Sequence, residues 1–347
     1  MRAVRFDDFG ERPYLAEVPV PEAPTGGVVV RVEATGLCRS DWHGWAGHDS
    51  DITVLPHTPG HEFAGVVHAV GAGVDRVRVG QRVTFPFALG CGECAVCRAG
   101  ASHVCPRQWQ PGVNGPGSFA EFVALPVADF NVVPLPDAIS FAVAAGLGCR
   151  FATAYRALVD VGRVQARETV AVFGCGGVGL AAVMVARSRG ARVIAVDVNR
   201  DALDLAAEVG AGTVVDPADG DVVEQVRDAT DGGADVAVDA LGSLATARAA
   251  TESLRIRGRH VQVGLLPPAV VDGRATVPMH TVIARELQVL GSHGMPARDY
   301  PRMLDDIAAR RLAPEKLLGR RIGLSDASAA LVAMGDATAP GVTIIEP

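Results

Sequence analysis

The sequence predicts an α/β protein with two unlike parts: a mostly-β amino-terminal half, and a doubly wound parallel sheet in the middle of the chain. Three observations carry this. Residues 1 to about 150 read as short apolar runs broken by Gly and Pro, with little helical periodicity. From Val170 onward apolar runs alternate with helical stretches, the pattern of parallel strands covered on both faces. A chain of 347 residues also exceeds what one core ordinarily serves, so two domains are expected.

In the first half, Val28 to Glu33 and Gly65 to Val70 read as strands, with Gly26-Gly27 and Gly71-Ala72-Gly73 as turn material. Phe151 to Val161 fits a helix leading into the second unit. Strands are then expected at Val170–Phe173, Arg192–Asp197, Thr213–Val215, Val236–Asp239, His260–Val263 and Leu287–Leu290, with helices at Leu180–Arg189 and Asp201–Val209. Beyond about residue 291 the alternation breaks into a helix, Tyr300 to Arg311, and a last strand, Val342 to Ile345. The expected units are therefore 1–150, 151–291, and a tail, 292–347, that returns to the first.

Composition narrows the function. Charged residues make up 20% and apolar ones 49%, and the net charge is −7 with no basic stripe, which argues against a nucleic-acid partner. MRAVRFDDFG has no apolar segment of a secretory signal, and no run approaches the ~20 apolar residues of a membrane span. A cytoplasmic protein with no membrane partner is expected. Seven cysteines, four of them between 91 and 105, argue in that setting for metal before disulfides.

Gly174-x-Gly176-x-x-Gly179 would be weak by itself. Here it follows a buried-type strand, opens a helix, and is trailed by Asp197 at the end of the next strand, close to the interval of a Rossmann dinucleotide fingerprint. Gly174 suits the tight turn, Gly176 lets backbone approach a pyrophosphate, and Gly179 lets helix and strand pack closely. Gly177 and Val178 place free N–H groups at the helix start, where an anion is favoured. Asp197 is expected to accept the adenosine ribose hydroxyls and to repel a 2′-phosphate, which favours NAD over NADP; Arg200 nearby pulls the other way. Val263, at the end of a later strand, and Leu265, just beyond it, are expected to line the same cleft.

Cys91, Cys94, Cys97 and Cys105 offer four thiolates on a Gly-rich loop, the donor set of a closed, structural zinc site. An iron–sulfur cluster and disulfides are the alternatives, and the spacing does not match a ferredoxin. Cys38, His61 and Cys149 remain. A Cys2His set leaves zinc one position for water or alcohol, although spacing alone cannot show that the three meet.

At this point the chain resembles a known family. Cys38-Arg39-Ser40-Asp41-Trp42-His43, Gly60-His61-Glu62 with Gly65, Gly71 and Val74, the four-cysteine lobe, Gly117 to Phe122, Gly148-Cys149 with Phe151-Ala152-Thr153, and the Gly-rich loop occur in the order and spacing of the zinc-containing alcohol dehydrogenases of the medium-chain dehydrogenase/reductase superfamily. The resemblance covers essentially the whole chain. It implies a GroES-like catalytic domain beside a Rossmann NAD-binding domain, and two zinc ions per subunit. The catalytic zinc would sit on Cys38, His61 and Cys149, and the structural zinc on the four clustered cysteines. Asp41 would fix the His61 ring, and Glu62 would stand beside the metal, either replacing its water transiently or acting only through its charge. Ser40 would start a proton relay that passes through a ribose hydroxyl to His43. Arg39 would contact a cofactor phosphate, Thr153 would neighbour the nicotinamide, and the subunits would form a dimer or tetramer.

The implied reaction is reversible hydride transfer between a primary or secondary alcohol, aromatic ones included, and NAD. An alcohol must shed its proton before hydride leaves, and zinc as a Lewis acid stabilises the charge that develops. A polyol dehydrogenase with the same zinc chemistry is the nearest alternative. An enone reductase on this scaffold is expected to lack the Cys38, His61 and Cys149 set; a non-catalytic NAD or redox sensor would not need Ser40 and His43. Trp42 and Trp45 fit either the substrate channel or the core. Three positions depart from the pattern: Arg150 follows the third zinc ligand where relatives carry a small residue, Ala202 stands where many have a base, and Gly341-Val342 lacks an arginine often found before the last strand. The sequence leaves open whether Arg150 repels the zinc or meets a phosphate.

Overall fold

The described residues are 1–266, 271–336 and 340–347 of a computed structural model. The long strand Val28–Leu37 organises the first half. Its valines are buried on both faces, so it reads as a continuous apolar run. It pairs antiparallel with Phe63–Val70 along its length and with Phe122–Leu125 near its start. Its far end pairs with Val342–Glu346, in register Ile344 to Gly36 and Thr343 to Leu37. The carboxy-terminal strand thus clamps the residues just before Cys38. Leu318–Gly323 adds to its outer side, and Arg82–Thr84 and Val133–Pro134 complete the seven-stranded sheet.

The second sheet has six strands, all parallel, in the order Thr213–Val215, Arg192–Val196, Thr169–Phe173, Ala234–Asp239, Leu254–Gln262, Gln288–Gly291. Numbered along the chain this is 3-2-1-4-5-6, the doubly wound order, whose reversal lies between Thr169–Phe173 and Ala234–Asp239. Both strands are almost entirely buried, as parallel strands sandwiched by helices must be. Ligands of such sheets bind at the carboxyl ends of the strands beside that reversal, and the Gly-rich loop is the segment that leaves Phe173 there.

Each strand expected in the second sheet is present. The fifth starts at Leu254, six residues before His260, because Arg255, Ile256 and Arg257 lie on a solvent-facing stretch whose polar pattern hides the strand. The helix expected over 151–161 is the end of a longer helical run that begins at Phe141 and passes through π turns at Leu147–Phe151 and Ala157–Val161. Such turns insert a residue into the helical ladder and concentrate at functional sites; the first of these contains Cys149. Arg39–Trp45 is a short helix that periodicity could not reveal in seven residues. Among the described residues no helix is long and apolar enough to cross a membrane.

Candidate metal centres and dinucleotide cleft

Cys38 ends the clamped strand and opens the helix Arg39–Trp45, so its position is set by sheet pairing on one side and helix geometry on the other. His61 precedes Phe63–Val70, whose partner is that same strand. Gly60, at φ +107°, makes the turn before it; a side chain there would also strike Phe119 and Ser118. Cys149 arrives on the π turn. Its approach is pinned by Tyr300, fully buried, whose hydroxyl donates to the Gly148 carbonyl at 3.0 Å.

These three residues, distant in sequence, converge: their ligand atoms all lie within 4.8 Å of one another. Asp41 orients the set. Its carboxylate accepts from His61 Nδ1 at 2.8 Å, from the Gly60 N–H at 3.1 Å and from the Cys38 N–H at 2.9 Å. With Nδ1 committed, His61 Nε2 is left buried without a hydrogen-bond partner. A buried imidazole nitrogen without a partner is costly unless a metal takes it. Burial opposes charge on His61, yet Asp41 and Cys38 lift its pKa well above the ordinary value; the same fields strengthen it as a donor to a cation. The Cys38 thiol is held well below its usual range, chiefly by the hydrogen bond from Cys149 and against the effect of burial. The donor set fits zinc with one position open.

Cys91, Cys94, Cys97 and Cys105 also converge. Cys91 and Cys97 sulfurs are 3.9 Å apart, and Cys94 and Cys105 sulfurs 3.7 Å apart. A disulfide requires about 2.05 Å. A tetrahedron of bonds of about 2.3 Å has edges of about 3.8 Å, so the spacing is that of four sulfurs around one zinc. Backbone N–H groups already serve the sulfurs: Cys97 N–H to Cys94 at 3.4 Å and Arg107 N–H to Cys105 at 3.3 Å. The N–H of Glu93 is the leading cause that brings the Cys91 thiol down to about 6. No donor position is left for substrate, which makes this a structural site.

Glu62 is fully buried behind the first centre. It accepts the Cys149 N–H at 3.1 Å and pairs with the Arg150 guanidinium. Burial pushes its carboxyl up, against the pull of Arg150. Arg150 also donates to the Leu37 carbonyl at 2.9 Å. The cation after the third ligand is therefore matched by a carboxylate. Ser40 is exposed beside Cys38, its Oγ 3.9 Å from the sulfur. His43 Nδ1 lies 2.9 Å from His48 Nδ1, a pairing without a sequence signal. Arg39 reaches the Met334 carbonyl and lies over Trp42. Trp42 and Trp45 are half-buried, packed against the cluster of Leu37, Phe119 and Leu331. Phe87 lies edge-on to His61, its ring centroid 6.2 Å from that of His61 and 5.2 Å from that of His293.

At the sheet reversal, Gly174 adopts φ +90°, and a Cβ on Gly179 would come within 1.7 Å of the Gly174 carbonyl, so both must be glycine. The space beside Gly176 is open. Gly177 and Val178 begin the helix Gly177–Ser188. Asp197 accepts the Cys175 N–H at 2.6 Å and the Asn199 N–H at 2.8 Å, holding its carboxylate at the loop. Arg200 starts the helix Arg200–Val209 that Asn199 caps. A second network was not anticipated: buried Asp239 accepts the N–H groups of Leu241 and Gly242, each at 3.0 Å, and Gln262 Nε2 at 2.9 Å. It binds together the loops carrying Leu241, Val263 and Leu265, two of which expose large apolar side chains, Leu241 61% and Leu265 72%. Thr153 is buried one turn beyond Cys149.

Residues 24–137 match the family described as "Alcohol dehydrogenase GroES-like domain", and residues 177–309 that described as "Zinc-binding dehydrogenase". The chain is 35% identical over 293 residues to an alcohol dehydrogenase of Geobacillus stearothermophilus, covering 84% of each chain. It is 31% identical over 314 residues to a D-arabitol-phosphate dehydrogenase of Enterococcus avium, covering 89% of this chain and 87% of the other. Among solved structures it is similar to one described as an NAD-dependent alcohol dehydrogenase, at 31% identity and a TM-score of 0.89, over the full length of both. The paired metal centres, the sheet order and these relatives agree: the chain belongs to the zinc-dependent alcohol dehydrogenases of the medium-chain dehydrogenase/reductase superfamily.

Proposed function

We propose that the protein oxidises a primary or secondary alcohol, reversibly, with NAD as hydride acceptor. The observation that carries this is the buried, unpartnered His61 Nε2 within reach of two cysteine sulfurs. Zinc bound there would supply Lewis-acid polarisation of the alcohol oxygen, and the dinucleotide the carbon that takes hydride. The chain's own residues do the rest. Asp41 fixes the tautomer of His61. Ser40, exposed beside Cys38, takes the alcohol proton, and His43 releases it to solvent through or beside His48. Gly174, Gly176, Gly177, Val178 and Gly179 seat the pyrophosphate, Asp197 the ribose, Val263 and Leu265 the far wall, and Thr153 the nicotinamide side. Asp197 is a carboxylate where a 2′-phosphate would sit, which supports NAD.

A panel of primary, secondary, aromatic and polyol substrates with NAD and NADP, followed by reduced-nicotinamide absorbance, tests the reading. Turnover of simple alcohols with NAD is expected. Preference for NADP would remove the role given to Asp197, and turnover of polyols alone would favour the second reading, which the arabitol-phosphate relative supports.

The relay makes its own prediction. Burial, then His48 and Arg39, pull the His43 pKa below 6.5, with Cys38 opposing. Oxidation needs neutral His43 to accept a proton, so activity should hold at neutral pH and fall as pH drops through that lowered pKa. His43→Ala should cost up to about 10²-fold, the low end for a positioned acid–base group, and should erase this acidic limb. An unchanged pH profile in the variant would remove His43 from the relay.

We also propose a homo-oligomer. Gln288–Gly291 is an edge strand with Val289 exposed, and the preceding helix Met279–Ala284 exposes Met279 and Ile283; such an edge is the kind that proteins cover. Light scattering should give a multiple of the 35.9 kDa chain mass; a monomer would refute it.

A further inference from the structure

Arg150 is a buried charged residue for which the reaction above has no use, and its surroundings are specific. The residue is buried, at 8% exposure. One end pairs with Glu62, and the same guanidinium donates to the carbonyl of Leu37, the residue before the first zinc ligand. Its stem lies against the dinucleotide loop: a Cβ on Gly177 would come within 2.4 Å of Arg150 Cδ. Gly36 leaves the room for the pair, since a Cβ there would meet Glu62 Oε1 at 2.7 Å and Arg150 Nη2 at 2.8 Å. Glycines at both ends thus leave the room the arginine occupies, and a side chain at either would press on it.

The consequence concerns Glu62. A fully buried carboxylate, adjacent in sequence to His61 and bonded to the N–H of Cys149, would be an oxygen donor beside any zinc that Cys38, His61 and Cys149 hold. Oxygen ligands suit zinc, and a buried carboxylate without a partner seeks a cation. We infer that Arg150 is a positioning residue that holds Glu62 off the catalytic metal and so keeps the fourth position free for the alcohol. Its seat beneath Gly177 makes the dinucleotide loop part of that restraint. This rests on the metal-centre reading above.

The test uses the cobalt-substituted full-length enzyme, with imidazole as an exogenous ligand and the visible cobalt spectrum as readout. Wild type should show a saturable spectral shift. Arg150→Met keeps the stem but frees Glu62, which then competes for the metal. Imidazole binding should weaken by about 10–100-fold, the range typical of outer-shell changes at metal sites. The double variant Arg150→Met with Glu62→Gln removes the competing charge and should return binding to within about threefold of Glu62→Gln alone, the mark of a coupled pair. A general loss of packing would not be rescued in this way. Gly177→Ala displaces the stem from the loop side and should weaken imidazole binding in the same sense, which keeps the inference testable if Arg150→Met does not fold. Wild-type imidazole affinity in Arg150→Met, or in Gly177→Ala, overturns the inference, as does a loss that persists in the double variant. A wild-type centre that does not respond to imidazole overturns the functional reading, and this inference with it.

Discussion

Replacing Cys38 by alanine is expected to abolish alcohol turnover and to leave one zinc per chain. Cys38 supplies one of three donors, and its N–H also anchors Asp41, which in turn orients His61. Removing the sulfur leaves one thiolate and one imidazole, too few to retain the ion against competing chelators. Lewis-acid stabilisation is worth several kcal/mol in metal-dependent reactions, and each 1.36 kcal/mol is tenfold in rate, so a fall of about 10³-fold or more is expected. The fold should survive, because the substitution removes a single buried sulfur at a strand end. Metal analysis and turnover measured on the same sample decide the matter. Full activity would take Cys38 out of the site, and loss of both ions would mean that the two centres are not independent.

Cys97→Ser should act in the opposite way, first on stability. Cys97 is the most enclosed part of the lobe along with Cys105, at 3% and 2% exposure. Structural zinc supplies roughly 10–16 kcal/mol in small domains that fold around it. Here the lobe is one part of a larger unit, so a loss of several kcal/mol is expected, seen as a lower unfolding midpoint and one zinc fewer. The effect should spread. His293 Nδ1 lies 3.1 Å from the His103 carbonyl, and Arg298 lies against Gly100. These contacts tie the lobe to the segment carrying Tyr300, whose hydroxyl holds Gly148 beside Cys149. Activity should therefore fall although no catalytic ligand is touched. A variant that loses the lobe zinc yet melts and turns over as wild type would show that this metal has no structural task.

Much of the fold was legible because it rests on local rules. The strands of the second sheet are runs of Val, Ala and Ile buried on both faces, and such runs are visible in one dimension. Gly174 and Gly179 were legible because a positive φ and a 1.7 Å approach exclude other residues. The four clustered cysteines were legible because short spacings bring sulfurs together without help from distant chain. The helix Arg39–Trp45 and the start of the strand at Leu254 were not, since seven residues are too few for a period and Arg255 to Arg257 break the apolar pattern.

The sequence by itself determined the sheet architecture, the Gly-rich turn and the donor types available to metal, because each depends on neighbours a few residues apart. Only the tertiary structure decided that Cys38, His61 and Cys149 face one point, that Glu62 answers Arg150, that Tyr300 props Gly148, and that Trp42 and Trp45 lie half-buried on a cluster of Leu37, Phe119 and Leu331. Those relations join residues tens to hundreds of positions apart. They are set by strand pairing and by the need of each buried charge for a partner, and spacing alone cannot show that such residues meet.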